Sequence, residues 1–205
     1  NPRSRHAKIL KNVGMLLEDG HFSPRKIDDA FSTAVLKKFT TELDNEKTIL
    51  LQSDINAFKK YETLIDDEIH GKALESFYAI SEVYLKRMNE ASQLYKDILA
   101  KPFDFGTDEK VQLDADKADF PKTEAERRET WRKRLKYAVL GKYVDLQEER
   151  EKNKDKKDFI VKPDSTLERE AREQVRKTMD RYFSTKITRE TTEDNFSTFV
   201  NSITG

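Results

Sequence analysis

The chain has 205 residues, with 39 Lys and Arg balanced by 39 Asp and Glu, no cysteine, six glycines and five prolines. That length suits one domain or a domain with a small appendage. Zero net charge with interspersed signs argues against a dedicated nucleic-acid binder, and the lack of cysteine excludes disulfides, thiol catalysis and cysteine-based zinc sites.

Leu, Ile, Val and Phe make up about a quarter of the residues, above the ~20% below which highly charged chains stay disordered. The scarcity of Gly and Pro favours long helices over strands and turns. No apolar stretch approaches the ~18 residues of a membrane-spanning helix. No repeat of ~20–50 residues points to a solenoid. The expected fold is all-α: a multi-helix bundle, an ordered irregular excursion at about 101–122, and a C-terminal helical pair.

An opening helix is expected over about 5–18, with Ile9, Leu10, Val13, Leu16 and Leu17 on one face. Ser23 is placed to cap a second helix with Pro24 in its first turn, where a missing N–H costs nothing. Its apolar stripe is Ile27, Phe31, Val35, Phe39 and Leu43. Ser53 or Asp54 is the cap expected for a third helix carrying Ile55, Phe58, Tyr61, Ile65 and Ile69, stopped at Gly71. The longest helix is expected over about 73–99, where Leu74, Phe77, Ser81, Tyr84, Met88, Ala91, Tyr95 and Ile98 alternate by three and four. Their mixed sizes favour packing within a bundle over a separate coiled coil. Pro102 ends it.

Residues 101–122 lack helical period and read as an excursion anchored by Phe103, Phe105 and Phe120, with a short strand expected at Lys110–Leu113. Thr123 and Glu126 form a capping box for a helix with core face Trp131, Leu135, Ala138, Val139 and Leu146. Glu124–Arg128 and Glu129–Lys133 have the i,i+4 spacing of weak surface pairs. Residues 147–158 contain no apolar side chain and read as a solvated helix end or a linker, the linker being the preferred reading. The expected division is therefore 1–146 bundle, 147–163 charged linker and 164–205 helical pair. In that pair, Ser165 and Glu168 make a second capping box, and Leu167, Ala171, Val175 and Met179 line the first helix. The last starts near Thr192 and presents the apolar stripe Phe196, Phe199, Val200 and Ile203, either an ordinary core face or, as the family resemblance given below implies, an interdomain contact.

No catalytic, cofactor or metal site is assigned. Asp104–Gly106 spells DFG, but no glycine-rich phosphate loop or HRD accompanies it. Asp114, Asp116 and Asp119 lack the glycine and twelfth-position glutamate of a calcium loop. His6, His21 and His70 have no metal-spaced partners and read as surface or half-buried residues. Arg127, Arg128, Arg132, Lys133 and Arg134 sit among glutamates and read as a solvated face. Ser and Lys are both abundant, yet no glycine-rich segment is placed to build an oxyanion hole.

Several segments, taken in order, resemble the tail-specific (C-terminal-processing) proteases of proteobacteria and their Bacteroidetes relatives. They are DDAFSTAVLKKF (28–39), LLQSDINAFKKY (50–61), DDEIHGKALESFY (66–78), LAKPFDF (99–105), LDADKADFPKTEAE (113–126) and WRKRLKY (131–137). EDNFSTFVNSITG (193–205) resembles the helix that precedes an Asp-Pro-His-Thr segment there. The resemblance implies an N-terminal helical domain truncated before a PDZ domain and a Ser–Lys protease core. It implies a periplasmic setting, protein substrates with apolar C-termini, and a part in scaffolding the platform, substrate entry or adaptor docking. No catalytic residue carries over, and no cofactor, nucleic acid or membrane span is implied. From the residues alone, a free-standing helical adaptor and a small helical enzyme both remain open.

Overall fold

A computed structural model describes residues 1–20, 24–188 and 191–205. Among the described residues eight α-helices follow one another: α1 (Pro2–Asp19), α2 (Asp29–Leu43), α3 (Gln52–Phe58), α4 (Ile65–Ile69), α5 (Ser76–Leu99), α6 (Glu124–Asn153), α7 (Asp164–Lys186) and α8 (Thr191–Thr204). A 3-10 turn, Lys59–Tyr61, follows α3. The described residues contain no strand, so the fold is all-α, and the strand expected at Lys110–Leu113 is not formed.

Local chemistry explains most boundaries. Asn1 caps α1 by accepting from the Arg3 N–H. α2 starts later than its stripe suggests. Asp28 is its cap, accepting from the Phe31 N–H at 3.0 Å, and Pro24 lies outside the helix. Ser23, the expected cap, lies outside the described residues. A tight link follows, where the buried Asp44 carboxylate accepts the N–H groups of Thr48, Ile49 and Leu50 at 2.8–3.1 Å. Those bonds lower its pKa, but burial is the larger effect and pushes the Asp44 carboxyl up. The expected third helix is broken into α3, the 3-10 turn and α4. Asp54 sits in the first turn of α3, not at its cap, and accepts the Leu51 N–H. Gly71, with φ +116°, closes α4 in a conformation that L side chains resist.

The longest helix is α6, not α5. Thr123 caps it, accepting from Glu126 N–H at 3.1 Å, and Glu126 reaches back to the Lys122 N–H at 2.8 Å, one residue earlier than in a closed box. Residues 147–153, read as linker, are the last turns of this helix. Arg150 holds that end against Asp164 and the Lys162 carbonyl. At α7 the cap position is Pro163, Ser165 is already helical, and Glu168 is buried and turned toward the excursion.

One apolar cluster runs from Leu10 through Phe39, Phe77, Tyr95 and Trp131 to Phe183, Phe199 and Ile203. Side chains from 1–146 and 164–205 share it. α6 and α7 pack along each other, α2 packs on α8 and α4, and α5 touches α6, α7 and α8. Gly14 lets α1 close on α4, because a Cβ there would run into Ile69 Cγ2. The faces were mostly as spaced, with exceptions: Leu16 is 64% exposed, Ala138 is exposed, and Phe31 is only half-buried.

Candidate functional site

Three polar constructions stand out from the apolar core. The first ties both ends of the chain together. His6 is fully buried and its ring stacks on Phe196 at 4.0 Å. Its Nε2 lies 2.8 Å from Glu193 Oε1 and its Nδ1 2.6 Å from Tyr78 Oη. The carboxylate can only accept, so Nε2 carries a proton. The Tyr78 hydroxyl can rotate to donate to a bare Nδ1 or accept from a protonated one. The His6 hydrogen bond holds the Glu193 carboxyl below the usual carboxylate range.

The second staples α3, α5 and α6. Arg87 meets Asp54 through two bonds at 2.9 and 3.0 Å. Arg127, 2% exposed, donates to the Ile49 carbonyl at 2.9 Å and to Glu90 at 2.7 Å. Burial alone would raise the Glu90 carboxyl, but hydrogen bonds from Arg127 and Arg87 overcome it and hold the carboxyl below its ordinary value. Trp131 Nε1 donates to the Thr48 carbonyl at 2.8 Å in the same layer.

The third is a groove of about 940 Å³ between residues 110–119 and the first half of α6, floored in part by Glu46 and Lys47. Its outer wall is pinned at two points. Glu109 receives Arg132 and, at 2.7 Å, Lys136. Those bonds, Arg132 first, hold its carboxyl down at about 2. Lys47 Nζ donates to the Ala118 carbonyl at 2.7 Å.

The residues singled out in the sequence do not converge. Phe196, Phe199 and Ile203 are 4%, 0% and 0% exposed, inside this chain's own core, with Val200 partly buried beside them. Asp104 accepts from the Gly106 N–H in a local turn, and Asp114 does the same for Asp116. Among the described residues no group of three or more His, Asp or Glu side chains could hold a metal ion. No described helix is long and apolar enough to cross a membrane. His70 is exposed and pairs with Glu18; His21 lies outside the described residues.

The basic run of α6 is divided. Arg127 is buried, Arg132 serves Glu109 and Glu129, and Arg134 meets Glu46. The i,i+4 pairs expected at Glu124–Arg128 and Glu129–Lys133 are not among the ion pairs. Sequence reasoning missed the burial of His6 and Arg127. Both carried a signal: His6 stands four residues before Leu10, and Arg127 four before Trp131, on each helix's buried stripe.

Residues 13–205 match the model of the tail-specific protease N-terminal domain. The chain belongs to this family. A curated relative, the tail-specific protease of Haemophilus influenzae, is 30% identical over 132 residues, 64% of this chain. The aligned region spans 19% of that relative's length, so most of a tail-specific protease lies outside the part compared. The tail-specific protease N-terminal domain is thus an all-α unit here, and its polar side chains cross-link helices.

Proposed function

We propose that this chain is a non-catalytic helical domain of a tail-specific serine protease, with a part in scaffolding the protease platform and in substrate entry or adaptor docking. The family match across residues 13–205 carries this reading. On it, cleavage of periplasmic proteins with apolar, flexible C-termini belongs to a PDZ domain and a Ser–Lys core elsewhere in the full-length chain.

The structure supports a docking role on one particular face. With Phe196, Phe199 and Ile203 turned inward, the apolar side chains left outside include Tyr137, Leu140 and Val144, which are 55%, 37% and 41% exposed. They recur at helical spacing on the outer side of α6, opposite Leu135 and Val139. Gly141 stands among them with nothing near its Cβ position, which lets another backbone approach closely. We assign this stripe to the rest of the protease chain.

Hydrolysis tests the reading. The 205-residue chain, freed of host protease, should leave a protein with an apolar unstructured tail intact. Sustained turnover abolished by a single substitution in this chain would overturn it.

A further inference from the structure

The segment 107–113, Thr107 to Leu113, has an unusual status. Lys110-Val111-Gln112-Leu113 has the alternation of a half-buried strand. The chain there is neither helix nor hydrogen-bonded turn. No backbone N–H or C=O from 107 to 113 has a partner among the described residues. Yet the segment is not loose. Glu109 is fixed to one helical turn of α6 through Arg132 and Lys136, and Val111 is partly buried beside it. An anchored segment with a free backbone is a template for another strand.

The groove beside it has a charge preference. Lys110, Val111 and Gln112 line it together with Lys47, Lys117 and Lys133. Two of its carboxylates are ion-paired, Glu46 with Arg134 and Glu129 with Arg132, while Glu126 accepts the Lys122 N–H and keeps its charge. Asp119 adds one further carboxylate to the lining. Lys47, Lys110 and Lys133 make no ion pair among the described residues, and Lys117 has only a long contact of 3.9 Å to Asp114. The unbalanced charge is positive.

We propose that residues 107–113 become a strand when a partner binds: an extended peptide segment bearing acidic side chains pairs its backbone with this strap, and its carboxylates meet Lys47, Lys110 and Lys133. Backbone pairing supplies the affinity in such strand addition, and the flanking side chains supply selection. This goes beyond the role proposed above and depends only on this chain's own residues, so it can fail while that role stands.

The probe is a capped peptide of alternating glutamate and valine, about ten residues long to match one strand, with a lysine–valine peptide as the charge-inverted control. Amide exchange on the 205-residue chain should show new protection confined to 107–113 on adding the glutamate peptide. The lysine peptide should bind ~10-fold or more weakly, as expected for like charges brought together. The double variant Lys110→Pro, Gln112→Pro removes two N–H donors from exposed positions and should weaken binding ~10-fold or more with an unchanged melting temperature. Lys110→Ala, Gln112→Ala keeps the backbone and should bind within ~3-fold of the parent.

Absence of added protection at 107–113 with saturating glutamate peptide would overturn the proposal. So would an alanine variant as weak as the proline variant, which would make the contact one of side chains only. Protection at 107–113 that grows with protein concentration without any peptide would overturn it too, by naming a second copy as the occupant.

Discussion

Replacing Phe77 by alanine removes the hub of the aromatic core. Phe77 is 0% exposed. Its ring lies 5.1–6.1 Å from those of Tyr78, Phe196, Phe199, His6 and Phe39, so α1, α2, α5 and α8 all meet on it. Truncating a buried phenylalanine costs about 3–5 kcal/mol, the lost transfer energy plus the cavity left behind. The upper part of that range applies here, since side chains from four helices cannot all collapse into one void and several edge-to-face contacts are lost with it. Against a total stability of about 5–15 kcal/mol this is a large fraction. At roughly 2–4 °C per kcal/mol for a chain of this size, the melting temperature should fall by about 8–20 °C. Phe31 is the internal control. It shares the stripe of α2 but is only half-buried, so Phe31→Ala should cost about 1–2 kcal/mol. Thermal unfolding followed by circular dichroism reads both. A Phe77→Ala curve within about 2 °C of the parent, or a Phe31→Ala loss exceeding that of Phe77→Ala, would refute the packing described here.

Four further outcomes are expected. Gly14→Ala should destabilise by about 1–3 kcal/mol despite the ~1 kcal/mol gain in helix propensity, because the new methyl meets Ile69; a more stable variant in chemical denaturation would contradict the α1–α4 approach. Arg127→Met should cost about 2–4 kcal/mol, since it strips Glu90 and the Ile49 carbonyl of their donor, and an unchanged denaturation midpoint would show the staple is not formed. Carboxyl NMR should find Glu109 titrating at about 2. Its folded pKa is depressed, so its contribution is present above the ordinary carboxylate value and is lost as pH falls through about 2; titration near an ordinary ~4.3 would mean the strap is not pinned to α6. Amides of α8 should exchange as slowly as those of α5 in dilute solution, given the burial of Phe196, Phe199 and Ile203, and fast exchange confined to α8 would contradict a shared core.

The apolar faces of α5 and α7 were legible because each stripe repeats over many turns. Leu74, Phe77, Tyr84, Met88, Ala91, Tyr95 and Ile98 are all buried as spaced. Boundaries were harder to read where several capping side chains compete. Asp28 outbid Ser23-Pro24 as the signal for α2, and Asp54 acts from inside the first turn of α3. The end of α6 was obscured because residues 147–153 bury almost nothing. There the helix is carried by propagation from a long, well-packed start and by Arg150 against Asp164. The buried charges were the least visible. Their residue types make Arg127 read as part of a solvated face and His6 as surface or half-buried, although each stands four residues before a buried stripe position. Partners brought in by the fold, Glu90 and the Ile49 carbonyl for Arg127 and Glu193 and the Tyr78 hydroxyl for His6, make those positions tolerable. The groove depends on residues from three separated segments, 46–47, 110–119 and 125–134, and no local pattern announces it.

Sequencing the native gene past the codon for Gly205 tests membership in a protease chain most directly. The prediction is an open frame that continues into a PDZ domain and a Ser–Lys protease core. A stop codon directly after Gly205 would contradict it and leave a free-standing helical protein.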